Sequence, residues 1–306
     1  MTTRTPNTFI VGAGPVATAL AGALRLGGVP VLGLWARRPQ AARAAGAVSG
    51  VASYSSAPPD LLLEADVIIL AVRDQAIADV ASVLVKTGLV TRQHIMLHCS
   101  GALSSAEAFS GVRDHIGGIG ALHPLRAIAD ARAAMRELSG TVFGVEGDAR
   151  GEAEALNLVR AMGGRALALS GDHMVVYHAA AAIASNYAVA LMDAAVTLLG
   201  QVGIDESDAI GALVPLAVSS LENLAANGLA NGLTGPIRRG DAETVARHVD
   251  ILASGSELRQ LYQTLGRATL AIARRVEGAD QNALDQIARI LANSAEEPPA
   301  NSATGQ

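Results

Sequence analysis

The sequence predicts an α/β fold, a doubly wound parallel sheet followed by an all-α C-terminal domain. Three observations predict it. Over residues 1–170, short apolar runs alternate with helical patterns, the mark of βαβ units. Val67-Ile68-Ile69-Leu70-Ala71-Val72 is apolar throughout, as expected of a parallel strand covered on both faces. After Gly171 the patterns are helical only, with no β-rich run left.

The elements follow in order. Phe9–Val11 reads as the first strand and Pro15–Leu26 as the first helix, with Pro30–Trp35 the second strand. Val67–Val72 is a strand, Gln75–Val85 a helix and Ile95–His98 the next strand. Ile119–Leu122, Thr141–Val145 and Ala166–Leu169 are further strands, with a helix over Glu152–Met162. Helices are expected at about 173–201, 206–226, 241–253, 256–276 and 280–292. This gives a Rossmann dinucleotide-binding domain over 1–170 and a helical substrate and dimerisation domain over 171–292. The Glu-, Pro- and Ser-rich tail, 293–306, is expected to be disordered.

Composition narrows the function. With 306 residues the chain has room for two domains, and 50% hydrophobic against 17% charged residues supplies their cores. A net charge of −5 gives no reason to expect nucleic acid as a partner. The single cysteine, Cys99, excludes an internal disulfide and a Cys-based zinc site. It fits a reducing compartment, so a cytoplasmic location is expected. His94 and His98 are four apart, but on a strand, so no metal site is expected.

Two uncharged stretches bear on membranes. Phe9 to Leu24 is broken by Gly12, Gly14 and Pro15, which suits a strand-turn-helix better than a signal peptide. Met174 to Met192 is nearly long enough to span a bilayer. His178, Ser185, Asn186 and Tyr187 interrupt it, and polar groups inside a membrane are costly. A buried helix of a soluble protein is the expectation.

The turn Gly12-Ala13-Gly14-Pro15-Val16-Ala17 has the form G-x-G-x-x-A between a strand and a helix. The first glycine permits the tight turn and the second lets the backbone approach a pyrophosphate. The small third residue lets the helix pack on the strand. Amide groups at the helix N-terminus then face the phosphates, and Pro15 suits the first helical turn. A dinucleotide fold that takes NAD places an acid after the second strand. Here no Asp or Glu precedes Asp60, and the strand ends in Trp35-Ala36-Arg37-Arg38. Two guanidinium groups there suit a ribose 2′-phosphate, so NADP(H) is expected.

Several motifs together carry a resemblance. They are Ala65-Asp66-Val67-Ile68-Ile69-Leu70-Ala71-Val72-Arg73-Asp74, His98-Cys99-Ser100-Gly101-Ala102-Leu103 and Gly120-Ala121-Leu122-His123-Pro124-Leu125. Tyr177-His178 and Ala184-Ser185-Asn186 share one helix, and Leu233 to Asp241 forms a Gly-, Pro- and Arg-rich loop. The set resembles predicted oxidoreductases of the 6-phosphogluconate dehydrogenase-like superfamily that join a Rossmann-like domain to a DUF2520 domain. The resemblance implies that Ala71, Val72 and Asp74 border the cofactor. It also implies that the loop at Ser100 and Gly101 contacts substrate.

A reductase of a small carboxylate substrate needs a group that polarises the acceptor and supplies a proton. His178, Ala182, Ser185, Asn186, Val189 and Asp193 recur at helical spacing and share a face. His178 can donate a proton and Asn186 can orient a substrate oxygen; hydrogen-bonded core residues are the alternative. Many related enzymes keep a lysine four residues before this Asn. Here that residue is Ala182, and the only lysine is Lys86. His123, in a His-Pro pair like that of prephenate-type dehydrogenases, is the other candidate acid. Ser100 can hold a carboxylate or cap the next helix. Arg239 can pair with an anionic substrate, while Asp241 is most simply an N-cap.

Reduction of the C=O or C=N of a small carboxylate, such as the 2-oxo acid 2-dehydropantoate, is the leading expectation. A pyrroline-5-carboxylate- or prephenate-type dehydrogenase is the alternative enzyme, and a catalytically silent NADP(H)-binding sensor or scaffold the alternative class. The apolar helices exceed what a small domain buries, so a homodimer is expected.

Overall fold

A computed structural model of the chain describes residues 5–292; the expected disordered tail lies outside them. Eight strands form one sheet: β1 (Thr8–Val11), β2 (Val31–Ala36), β3 (Ser53–Ser55), β4 (Val67–Leu70), β5 (Ile95–His98), β6 (Gly118–Pro124), β7 (Val142–Gly147) and β8 (Arg165–Ala168). The order is β3-β2-β1-β4-β5-β6-β7-β8. The helices are α1 (Pro15–Leu26), α2 (Pro39–Ser49), α3 (Asp74–Lys86), α4 (Ser105–Ala108), α5 (Ala131–Glu137), α6 (Ala149–Ala161), α7 (Met174–Ala184) and α8 (Asn186–Gly200). Then come α9 (Glu206–Gly232), α10 (Pro236–Arg239), α11 (Ala242–Ile251), α12 (Glu257–Ala273) and α13 (Gln281–Ala292). Two compact units divide between Tyr187 and Ala188.

The first unit is a Rossmann-like sheet with a core on each face. Period-two alternation sends Ile10 and Ile69 to one core, with Leu20 and Leu24 of α1 and Leu158 of α6. It sends Phe9, Val11, Ile68 and Leu70 to the other, with Ile77 and Leu84 of α3. Ile69 and Leu20 are fully buried, each contributing roughly 1.5–3 kcal/mol. The sheet order reverses between β1 and β4, and ligands bind in the crevice at such a reversal.

β1 to β6 are mutually parallel, but β7 pairs antiparallel with β6 and β8 runs parallel to β7. The sheet is parallel-dominated, as expected from sequence, with one antiparallel pairing at this edge. β7 begins beside the end of β6, with Phe143 paired to Pro124. After the thirteen-residue α6 the chain crosses over, and β8 joins β7 in parallel.

Two further expectations change. The helix expected over 173–201 is interrupted: Ser185 leaves helical geometry at φ −114° and ψ −70°, ending α7 before α8 begins. That helix was also expected to be buried. Val175, Val176 and Val189 are 67–71% exposed, and α8 has no buried residue. Stretches Gly171–Gly200 and Glu206–Arg239 are long and apolar enough to cross a membrane, by length and composition only. In the second unit, Ile237, Val245, Val249, Leu270, Leu284 and Ile287 from α10 to α13 form a small helical core.

Candidate functional site

The turn after β1 is built by two glycines with different tasks. Gly12 has φ +138°, and a Cβ there would sit 2.2 Å from the Ala71 carbonyl oxygen, so only glycine fits. Gly14 is the N-cap of α1 in extended geometry, with no protein atom within 4 Å of a built Cβ. The space above Gly14 is left open for something other than protein. Ala17 is fully buried behind the turn, where its small side chain lets α1 approach. No acid lies in the first turn of α1, which leaves its N-terminal N–H groups facing outward for an anion.

A cleft of about 1020 Å³ opens at this turn. Gly12, Ala13, Gly14, Pro15, Val16, Trp35, Arg37, Arg38, Ala71, Val72 and Asp74 all line it. Ala17 alone among the expected cofactor residues does not. The cleft also takes in Arg73 and Cys99, which sequence reasoning did not assign. Arg73 lies three residues past the end of β4, at the carboxyl edge of the sheet, and lines a pocket together with Arg37. Its position after an apolar strand was the available signal. Among the described residues, the side chains of Arg37, Arg38 and Arg73 have no hydrogen-bond or ion-pair partner. Burial pushes the Cys99 thiol up to about 12, with Asp74 adding to it, so Cys99 is an uncharged wall.

The loop after β5 is held tightly. The Ser100 hydroxyl donates to Asp74 Oδ2 at 2.8 Å and accepts from the N–H groups of Ala102 and Leu103 at 3.2 and 3.1 Å. Ser100 is buried, and its hydroxyl is engaged in shaping this turn and anchoring α3. His98 accepts from the Ser100 N–H through Nδ1, and burial pushes its imidazole down to about 4. Glu146 accepts from the Ser105 N–H and hydroxyl, fixing the start of α4; burial, the largest effect, raises its carboxyl.

Beside that loop the structure brings two candidate residues together. His123, at the end of β6, and His178, on α7, have ring centroids 5.8 Å apart, near perpendicular. Gly101 lies between them. A Cβ on Gly101 would come within 2.7 Å of His178 Nδ1 and 2.9 Å of His123 Nε2. Burial first, then His178, lower His123 to about 4 against the pull of Asp74, so its imidazole is neutral near pH 7. His178 is exposed. Ser185 and Asn186 are not part of this pair; they lie exposed at the break between α7 and α8. In the second unit, Arg239 ends α10, and Asp241 caps α11 by accepting from the Thr244 N–H at 3.0 Å.

Comparison with known proteins agrees with this architecture. Residues 141–269 match the family model of DUF2520, a domain of unknown function. The match starts at the edge of β7, so it takes in β7 and β8 as well as helices. Comparison with curated proteins gives no match. Among solved structures, the chain is similar to protein TM1727 from Thermotoga maritima: 24% identity, 87% of this chain and 98% of that one, TM-score 0.69. It is similar to protein BF3122 from Bacteroides fragilis: 20% identity, 88% and 98% of the two chains, TM-score 0.66. A 1-pyrroline-5-carboxylate reductase from Streptococcus pyogenes is 15% identical over 94% and 96% of the chains, TM-score 0.57. These likenesses show the fold.

Proposed function

We propose that this chain, a Rossmann-like sheet joined to a DUF2520 domain, is an NADP(H)-dependent oxidoreductase. It reduces the C=O or C=N of a small carboxylate substrate, with a 2-oxo acid such as 2-dehydropantoate the first class to try. One observation carries the reading: the cleft at the sheet's reversal holds an open glycine turn and three unpaired arginines, with no acid after β2. Gly12, Gly14 and the α1 N-terminus suit a pyrophosphate, while Arg37, Arg38 and Arg73 suit a 2′-phosphate. When bound, the dinucleotide supplies the hydride. His123 and His178 then polarise the acceptor oxygen or nitrogen and deliver its proton. The similarity in fold to a pyrroline-5-carboxylate reductase supports the class of reaction and leaves the substrate open.

The test is a titration with NADPH and NADH, read by the fluorescence of Trp35. This is the chain's only tryptophan, and it lines the cleft. Replacing both Arg37 and Arg38 by Ala is expected to weaken NADPH binding by roughly 10- to 100-fold, from charge-assisted bonds worth about 1.5–3 kcal/mol. NADH binding should change little. Equal losses for both cofactors would contradict the 2′-phosphate assignment. Binding without oxidation across a panel of oxo acids and imines would favour a silent NADP(H) sensor.

A second copy of the chain is the proposed cover for the apolar surface of the second unit around α9. Val202, Leu216 and Leu221 there are 62–74% exposed, and clustered exposed apolar side chains mark an interface. Sedimentation at micromolar concentration is expected to give a dimer. A monomer would contradict this proposal, as would a requirement for detergent.

A further inference from the structure

Tyr177 has no role in the reaction proposed above. It is the residue before His178, and both rings stand against His123. Tyr177 is 9% exposed, and its ring stands over Gly144, where a Cβ would lie 2.8 Å from Tyr177 Cζ. Gly144 is the register partner of His123 across β6 and β7. The missing side chain on β7 is thus what lets the phenol slide in beside His123. The Tyr177 hydroxyl ends 3.0 Å from His123 Nδ1, and the two rings are perpendicular with centroids 5.5 Å apart.

Of the two hydrogen bonds this pair can form, one is stronger. A phenol is a far better donor than a neutral imidazole N–H, and a bare imidazole nitrogen is a better acceptor than a phenol oxygen. Burial raises the Tyr177 phenol, so it keeps its proton to donate. His123 is neutral near pH 7, so it carries one ring proton. If Nδ1 accepts, that proton sits on Nε2. The Cε1–Nε2 edge of the ring faces Gly101, both atoms 2.9 Å from a built Cβ, and His178 Nδ1 faces the same point at 2.7 Å.

We propose that Tyr177 is a positioning residue that locks His123 as the Nε2–H tautomer, so that a fixed N–H donor points into the space above Gly101. This rests on the reductase reading for its purpose, but not for its geometry. In that space His123 offers a hydrogen bond to the acceptor oxygen or nitrogen of a substrate. His178 is left to supply the proton. The absence of a side chain at Gly101 keeps both nitrogens accessible.

The experiment is 15N NMR of histidine-labelled protein at pH 7.5, without cofactor or substrate. The His123 signals are identified by their loss in His123→Gln. In the wild type, Nδ1 is expected at the bare-nitrogen position and Nε2 at the protonated one, as a single tautomer. In Tyr177→Phe, which keeps the ring over Gly144, both nitrogens should move toward the averaged position of a tautomer mixture. A wild-type spectrum with Nδ1 protonated would overturn the proposal. So would a Tyr177→Phe spectrum unchanged from the wild type. Because no turnover enters, failure of the reductase reading would leave this result standing, and the reverse.

Discussion

Replacing Gly14 by Asp leaves the fold intact and abolishes NADPH binding. The two effects are expected to separate because the fold does not require a glycine at position 14. Its backbone is at φ −77° and ψ 176°, which any residue adopts, and a side chain there meets no protein atom within 4 Å. Asp is also among the best N-cap residues, and α1 has no side-chain cap at present. Thermal stability should therefore hold or rise slightly. The same carboxylate would place a negative charge where the α1 N-terminus now attracts one. The expected loss of NADPH affinity is at least roughly 100-fold, or about 2.8 kcal/mol at 1.4 kcal/mol per decade. Calorimetry with parallel thermal melts checks both halves. An unchanged affinity in a folded Gly14→Asp variant would place the pyrophosphate elsewhere. Gly12 offers no such test, because its positive φ and the Ala71 carbonyl make any substitution there a folding defect.

The second large effect concerns the histidines. Replacing both His123 and His178 by Gln is expected to lower turnover by roughly 10²- to 10⁴-fold, the usual range for removing positioned acid–base groups. NADPH affinity should be unchanged, because neither residue lines the cleft. Steady-state kinetics on any accepted oxo acid or imine, beside a cofactor titration, gives both numbers. Retained turnover would remove the pair from the chemistry. A parallel loss of cofactor binding would instead make the residues structural.

Much of this was legible in the sequence because local chemistry decides it. The run Phe9–Val11, the glycine turn and the periodic helix after it make β1, the turn and α1 readable without reference to the rest of the chain. The missing acid before Asp60 and the pair Arg37-Arg38 are likewise local. The direction of β7 was not legible, since a strand's sequence is the same in either sense. The break at Ser185 falls in a run with no Gly or Pro to announce it. The exposure of α7 and α8 could not be read either: an apolar helix shows that it needs cover, not that its own chain supplies it. The site was half visible. His123 and His178 were singled out separately, but their meeting over Gly101 depends on β6, β5 and α7 converging. Tyr177 was seen only as part of a motif, because its task requires the bare backbone of Gly144 on a neighbouring strand.

The central claim is that the cleft at Gly12–Gly14 takes NADP(H). Titrating the wild-type protein with NADPH, read by quenching of Trp35, tests it most directly. The expected result is saturable quenching with one NADPH bound per chain and clearly weaker binding of NADH. Quenching that never saturates, or an equal affinity for NADH, would contradict it.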